Sequence, residues 1–215
     1  MKTKTLSINA IILALVALSF FVHADAADYQ SSAFQDAYQQ YLIVSDDQGG
    51  SAKKLAKQWE QLYAIDEQDP LALVYLGSSH TLMGRDALMP WSKMNLTETG
   101  LDEMALALRL LTDEHNHQLF NRMPVSIHVK TTAAITFTQV PDFFGRQEEG
   151  YYLFEDVLSD PVFLALPSEA QTFAFYFAIS AAYQLNKTTQ AQAWQAQLQA
   201  LNAGDDFTAA ALVLE

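Results

Sequence analysis

The sequence predicts an all-α protein built of consecutive helix pairs, and three observations carry this prediction. Apolar residues recur at spacings of three and four along most of the chain, which is typical of amphipathic helices. Helix-starting and helix-stopping residues divide the chain into units of about 40–50 residues, which begin near Gln30, Pro70, Gln118 and Ser168 and have the period of helical-repeat arrays. A single stretch alternates like a strand, and it has no convincing second strand to pair with.

The first pair begins with SSAFQDAYQQYLIV. Ser32 and Gln35 form an expected capping box at the start of this segment. Gly49 and Gly50 are expected to end the helix, and Ser51 can cap the next one. The expected apolar faces comprise Phe34, Ala37, Tyr38, Tyr41 and Leu42 in the first helix, and Leu55, Trp59, Leu62 and Tyr63 in the second.

The second pair begins at Asp69 and Pro70, as N-cap and first helical residue, and Gly84 is expected to end its first helix. The run HTLMGRDALMPW, from His80 to Trp91, then precedes a long helix expected over residues 92–114. In a plain repeat the first helix would turn at Gly84 directly into the second. We therefore interpret this run as an enlarged turn between two helices.

The segment RMPVSIHVKTTAAITFTQVP, residues 122–141, fits both a strand and a helix. Met123, Val125 and Ile127 alternate as in a strand, and the many β-branched residues favour that interpretation. The segment also has apolar residues four apart, as a helix does. A lone strand would leave its backbone groups unpaired, so we predict a helix.

The rest of the chain continues in helix pairs. PDFFGR is expected to be a turn, and QEEGYYLFEDVLSD a short helix. PSEAQTFAFYFAISAAYQL starts with a second expected capping box, Ser168 and Gln171, and is apolar nearly all round, as central buried helices are. TTQAQAWQAQLQAL is expected to be its amphipathic partner, and the apolar DFTAAALVL a short terminal helix.

The first 26 residues have the three parts of a secretory signal peptide. Two lysines form a basic start, residues 11–22 form an apolar core, and Ala24 and Ala26 form an A-x-A cleavage site. The core is short for a membrane span, and an uncleaved anchor is the alternative. We expect cleavage after Ala26, a periplasmic or secreted location, and one mature domain over residues 27–215 without an integral membrane span.

Charge and cysteine content restrict the partners and the compartment. The formal net charge is −13, and loss of residues 1–26, which hold two lysines and one aspartate, makes it −14. Nucleic-acid binding needs a basic face, so we expect no nucleic-acid partner. The chain has no cysteine, and an exported form must therefore be held together by core packing.

Two stretches resemble the tetratricopeptide repeat family. In DPLALVYLGSSHTLMGRD, Asp69-Pro70 resembles the terminal proline of such a repeat, and Leu76-Gly77 resembles its Leu-Gly pair. In FYFAISAAYQLNKTTQAQAW, Tyr176 and Tyr183 take its two aromatic positions. The order of motifs also resembles uncharacterised exported repeat proteins of bacteria. The resemblance implies antiparallel helix pairs stacked as a short right-handed solenoid with a C-terminal capping helix, and a function in protein or peptide binding.

The first helices of such a stack line an inner groove. The resemblance implies that this groove holds an apolar or extended peptide, or that the chain's own terminal helix fills it. Both alternatives are open. The expected groove residues are Val74, Tyr75, Ser78 and Thr81 in the second pair, and Phe177, Ala181 and Gln184 in the last.

A recognition site is expected at the edge of the groove, from Arg85, Trp91 and, in the next unit, Arg146. The alternative is that Arg85 and Asp86 form a pair that braces the enlarged turn, while Trp91 anchors its packing. Pairs in surface loops are common and individually weak, which favours the alternative.

Known catalytic motifs are absent from the sequence: there is no G-x-S-x-G, H-E-x-x-H, P-loop or dinucleotide fingerprint. His115 and His117 in TDEHNHQ are the best metal candidates, but residues two apart do not share a helix face, and a polar linker is the preferred interpretation. We therefore expect no cofactor, and predict a protein- or peptide-binding adaptor without catalysis. The alternatives are a periplasmic enzyme with an unrecognised carboxylate and histidine site, or a structural component of an envelope assembly.

Overall fold

The computed structural model describes residues 28–214, which form ten α-helices and one short hairpin. The predicted all-α class is confirmed, whereas the expected signal peptide lies outside the described residues. The helices are α1 (Ser32–Ser45), α2 (Ala52–Tyr63), α3 (Pro70–Asp86), α4 (Pro90–Leu110), α5 (Val125–Gln139), α6 (Gln147–Ser159), α7 (Pro161–Leu164), α8 (Ser168–Gln184), α9 (Thr188–Leu201) and α10 (Asp206–Ala211). Two 3₁₀ turns span Asp113–Asn116 and Asp142–Phe144.

The hairpin is a feature that the sequence patterns did not predict. Leu119–Phe120 (β1) pairs antiparallel with Met123–Pro124 (β2), so that Phe120 lies opposite Met123. The two linking residues, Asn121 and Arg122, both have positive φ, which is typical of tight hairpin turns. The hairpin buries the Phe120 side chain in the core.

Local signals place several helix starts correctly. The Ser51 side chain caps α2 by accepting a hydrogen bond from the Lys54 N–H, and the Asp69 carboxylate caps α3 by accepting one from the Leu71 N–H. Pro70 occupies the first turn of α3, where its missing N–H has no cost.

Both predicted capping boxes are wrong. In α1 the cap is Ser31, one residue earlier than Ser32, and it accepts from the Phe34 N–H. In α8 the N-cap position is Pro167, whose backbone is extended, so Ser168 already lies inside the helix and caps nothing. A hydroxyl satisfies the first free N–H groups only from the residue that flanks the helix.

The ambiguous segment 122–141 forms the helix α5, as predicted, and only Met123–Pro124 belongs to a strand. Helix α5 is buried over most of its surface because it lies between two hydrophobic cores. Val129 and Phe137 pack in the first core, and Ile127 and Ala134 pack in the second. Tertiary packing on both sides outweighs the weak helix propensity of its β-branched residues.

Consecutive helices pack as antiparallel pairs. In the pair α5/α6, the Lys130 ammonium near the start of α5 contacts Asp156 and Asp160 at the end of α6. Gly150, near the start of α6, lies against the backbone of Ala134 in the second half of α5. The terminal helix α10 packs on α8 and α9, and its Phe207 ring lies 5.2 Å from that of Phe173 on α8.

The first and third helices run parallel to each other. The Tyr29 hydroxyl, just before α1, donates to Asp69 at the start of α3. Tyr41 in the second half of α1 contacts Ser78 in the middle of α3. At the ends of the two helices, the Arg85 guanidinium of α3 donates a hydrogen bond to the Val44 carbonyl of α1. Within residues 28–214, no helix combines the length and the apolar character needed to cross a bilayer.

Candidate functional site

Tyr75 and Ser78, two of the expected groove residues, are buried in the first core. The Tyr75 ring stacks on that of Trp59 at 4.8 Å and meets the edge of the Tyr41 ring at 4.7 Å. The Ser78 hydroxyl lies 3.1 Å from the hydroxyl of Tyr41. The expectation that these two residues line a groove, either open or filled by the terminal helix, is therefore wrong. Helix α1 runs along α3 and covers this face with its own tyrosines.

The same core contains a buried histidine. The His128 Nε2–H donates to the Phe120 carbonyl at 2.9 Å, which leaves Nδ1 to accept a hydrogen bond from the Tyr75 hydroxyl at 3.3 Å. Burial lowers the pKa of His128 to about 4, so the ring is neutral at pH 7. Each ring nitrogen has a partner within the protein, and we therefore assign His128 to the core rather than to a reactive site.

An exposed apolar surface lies at the joint between α3 and α4. We name it the α3–α4 patch and define it by Leu88, Met89, Trp91 and Met94. Their exposed fractions are 92%, 51%, 65% and 45%, respectively. Isolated exposed apolar residues are normal, but these four large ones follow one another closely in the link and the start of the next helix, and we take them as a candidate interaction site.

The local geometry explains why these side chains remain outside the core. Helix α3 continues past Gly84 to Asp86, and α4 starts at Pro90. Only residues 87–89 link the two helices, so the predicted enlarged turn is wrong. Gly84 does not stop the helix; it lies against Thr97 of α4, where a side chain would collide. The tight joint projects the patch away from both cores.

Trp91 was interpreted as either a packing anchor or part of a recognition site. Its exposed fraction of 65% contradicts the packing role. Pro90 explains the error, because proline suits the first turn of a helix and so places Trp91 on the outer surface of the first turn of α4 rather than in a folded loop.

Arg85 pairs with Asp86, as the alternative interpretation predicted, but its side chain ties the end of α3 to α1 rather than to α4. Its Nε–H donates to the Asp86 carboxylate at 2.8 Å, and a second guanidinium N–H donates to the Val44 carbonyl at the end of α1. The Lys93 ammonium donates to the Arg85 carbonyl at 2.8 Å and so joins the start of α4 to the end of α3. Two cationic residues therefore lie within a few positions of the α3–α4 patch in the chain.

Arg146 does not join this cluster. Its guanidinium donates to Asp102 of α4 and to Glu149 of α6, and it lies 5.4 Å from the centre of the Phe137 ring. Asp102 is eleven residues beyond Trp91, which corresponds to about 16 Å along a helix. The expectation that Arg146 belongs to the same site is therefore wrong, since it instead ties α4 to α6.

His115, one of the two metal candidates, has a capping role. Its Nδ1 accepts a hydrogen bond from the Thr112 N–H at 2.9 Å, within the 3₁₀ turn Asp113–Asn116. Across residues 28–214, no group of three or more histidine, cysteine and acidic residues is placed to hold a metal ion.

One histidine–carboxylate pair is of the kind that the enzyme alternative requires. The His80 Nδ1 lies 2.6 Å from the Glu103 Oε2, and this hydrogen bond raises the pKa of His80. The pair joins α3 to α4. Ser78, two residues earlier, points to Tyr41 instead, so the two neighbours do not act together.

The fold and this surface define an all-α protein of consecutive helix pairs with an exposed apolar joint. Comparisons with protein-family models, with curated proteins and with solved structures gave no match.

The sequence analysis named Trp91 and Arg85 but missed Leu88, Met89 and Met94. A signal for Leu88 and Met89 was present in the run ALMPW, where large apolar residues follow the end of one helix and precede a proline, whereas Met94 lies further along, inside α4. Residues in so short a link have no helix face on which to be buried, so their exposure follows once the link is recognised as short.

Proposed function

We propose that this chain is an exported helical-repeat adaptor without catalysis of its own, which binds an apolar segment of a partner protein. The observation that carries the proposal is the α3–α4 patch. Exposed apolar surfaces of this size commonly mark protein interaction sites on soluble proteins. Trp91 supplies a large aromatic side chain of the type that dominates binding energy in protein interfaces.

The size of the patch favours a short segment as the occupant. Its four side chains together expose on the order of 500 Å² of apolar surface. A stable interface between two folded proteins buries about 800 Å² on each side. A second copy of this chain or a broad protein surface would need more area than the patch provides. A single apolar helix face or short strand of a partner fits it.

The border of the patch adds a polar component. Arg85 precedes the patch residues in the chain and Lys93 lies among them, and each side chain retains N–H groups beyond those used in its contacts within the protein. They can donate to the backbone carbonyls or to an acidic residue of a bound segment. We therefore expect the segment to be apolar with an acidic or carbonyl-rich end.

Selection from a random library of twelve-residue peptides tests this function. The purified protein is immobilised, and selected peptides are measured by fluorescence anisotropy. We expect apolar peptides with dissociation constants in the micromolar range, because the buried area is small. The double variant Leu88→Ser, Trp91→Ala should weaken binding at least about tenfold, which corresponds to about 1.4 kcal/mol.

Leu164→Ser is the matched control, because Leu164 is 54% exposed on α7, outside the patch. This variant should bind the selected peptides as the unmodified protein does. Failure to select any peptide, or equal binding by the Leu88→Ser, Trp91→Ala protein, contradicts the proposed function.

Two further features belong to this proposal. The helix pairs form a short right-handed tetratricopeptide-like solenoid, which the parallel course of α1 and α3 and the antiparallel pairs support. Residues 1–26 direct export and are removed, so the protein recovered from a periplasmic or secreted fraction should begin at Ala27. N-terminal sequencing of that fraction tests export, and a chain that retains residues 1–26 contradicts cleavage.

A further inference from the structure

The sulfur chemistry of this chain is confined to methionine. The sequence contains six methionines and no cysteine, so no thiol competes for oxidants. Among the described residues, Met89 and Met94 are 51% and 45% exposed, whereas Met104 is fully buried. Both exposed methionines belong to the α3–α4 patch and lie on either side of Trp91 in the sequence.

We propose that Met89 and Met94 are sites of reversible oxidation to methionine sulfoxide, which converts the α3–α4 patch from an apolar to a polar surface. The oxidant is a peroxide. Its O–O bond breaks as an S–O bond forms, the sulfur loses two electrons, and the peroxide is reduced to water or an alcohol. Susceptibility to this reaction follows the exposure of the sulfur.

Oxidation of Met89 and Met94 should change the surface of the patch without disturbing the rest of the fold, because of where the two side chains lie. Neither side chain is part of a buried core, so their oxidation removes no core contact. Met89 occupies the N-cap position of α4, and no side chain accepts a hydrogen bond from the first N–H groups of that helix. A sulfoxide oxygen on Met89 adds an acceptor beside these groups, where a partial negative charge is favourable. We therefore expect the fold to persist in the oxidised protein.

The consequence for binding rests on the proposed function. The two methionines supply roughly two fifths of the apolar area that the four side chains expose. Conversion of both to sulfoxides puts two dipolar groups among the exposed side chains of the patch, and an apolar segment would have to desolvate those groups. Oxidation therefore weakens binding at the patch, and a thiol-dependent methionine sulfoxide reductase restores it.

The test treats the purified protein with hydrogen peroxide and follows each methionine by peptide mass spectrometry. Met89 and Met94 should oxidise at least about tenfold faster than Met104, which is the internal buried control. Binding of an apolar fluorescent dye, 8-anilinonaphthalene-1-sulfonate, should fall as the two sulfoxides form and recover after treatment with methionine sulfoxide reductases. Circular dichroism should show an unchanged helix content.

The variant Met89→Leu, Met94→Leu is the matched control, since leucine has a similar apolar volume and cannot form a sulfoxide. Its dye binding should resist peroxide. Equal oxidation rates at Met89, Met94 and Met104 would overturn the proposal. So would unchanged dye binding in the oxidised protein, or an equal peroxide-induced loss in the leucine variant. These readouts need no partner, so a failure of peptide selection, which would end the proposed function, is distinguishable from a failure of this inference.

Discussion

The backbones of Gly77 on α3 and Gly100 on α4 lie so close together that neither residue has room for a side chain. A Cβ atom on Gly77 would come 2.6 Å from the Gly100 carbonyl oxygen, and one on Gly100 would meet the Gly77 carbonyl oxygen. This contact sets the separation of the two helices and permits the three-residue link that exposes the α3–α4 patch.

Gly100→Ala should therefore destabilise the protein, although alanine is the better helix former. Overpacking against a backbone carbonyl costs about 1–3 kcal/mol, which over most of this range outweighs a gain of about 1 kcal/mol in helix propensity. Urea unfolding measures the change. Asn95→Ala, at an exposed position of the same helix, should leave the protein as stable as before or more so. A Gly100→Ala protein of unchanged stability would mean that the helices are not in close contact.

Trp91→Ala should change the free energy of unfolding by no more than about 0.5 kcal/mol, because the side chain is 65% exposed. Trp59→Ala, by contrast, removes a fully buried ring and should cost about 3–5 kcal/mol. Denaturant unfolding of both variants makes the comparison. A loss above about 2 kcal/mol in Trp91→Ala would restore its role as a packing anchor.

The His80–Glu103 pair should stabilise the fold in a pH-dependent manner. The hydrogen bond between His80 and Glu103 raises the folded-state pKa of His80 above its usual value of 6.5. The stabilisation is therefore fully present below pH 6.5 and is lost as the pH rises through the folded-state value. Glu103→Gln should lower stability by about 1 kcal/mol at pH 5.5, and by less at pH 9. Glu98→Gln, at an exposed position of α4, is the control, and an equal pH trend in both variants would refute the assignment.

Ionisation of Asp69 should destabilise the folded protein as the pH rises. Burial raises its pKa from 3.8 to about 6, and one of its carboxylate oxygens has no hydrogen-bond partner. The folded state holds this proton more tightly, so the associated stability is present below pH 3.8 and is lost as the pH rises through 6. Asp69→Asn retains a capping side chain without titrating.

Between pH 4 and 7, the parent protein should therefore lose up to about 3 kcal/mol relative to Asp69→Asn. Unfolding curves at several pH values provide the measurement. Asp36→Asn is the control, because Asp36 is exposed on α1. The stability of this variant should change with pH as that of the parent protein does. A constant difference between the parent and Asp69→Asn across this range would show that the carboxyl group is not desolvated.

The titration of His128 should change stability in the opposite direction, so that stability is lost as the pH falls. Its folded-state pKa of about 4 lies below the usual 6.5, so its contribution to stability is present above pH 6.5 and is lost as the pH falls towards 4. The ring-proton resonances of His128 should therefore stay constant by NMR as the pH is lowered from 8 to 5. A titration midpoint between 6 and 7 would show that the ring is accessible to solvent.

Much of the secondary structure was predictable from the sequence because its signals are local. The caps Ser51 and Asp69 act on N–H groups two or three residues away, and Pro70 fixes its own backbone. The central helix α5 was predicted by an argument from pairing, since no long strand was available for residues 122–141. The hairpin that precedes it contributes only two residues on each side, which is too short for a periodic pattern.

The candidate site was predictable only in part. The sequence indicated a candidate site at Arg85, Asp86 and Trp91, because charged and aromatic residues cluster there beside a proline. The burial of Tyr75 and the separation of Arg146 from the patch could not be predicted from local sequence patterns. Each depends on a neighbour distant in sequence, namely α1 for Tyr75 and Asp102 for Arg146.

The sequence by itself determined the all-α class, several helix starts and most of the buried faces of α1 and α2, although Leu42 of the predicted α1 face is exposed. These follow from capping, proline and glycine chemistry and apolar spacing, all of which act within a few residues. Only the tertiary structure decided that Gly77, Gly84 and Gly100 bring two helices into backbone contact, and that Trp91 and its neighbours stay outside both cores. A helix presents the same residues whatever lies beside it, and burial is settled by which elements become its neighbours.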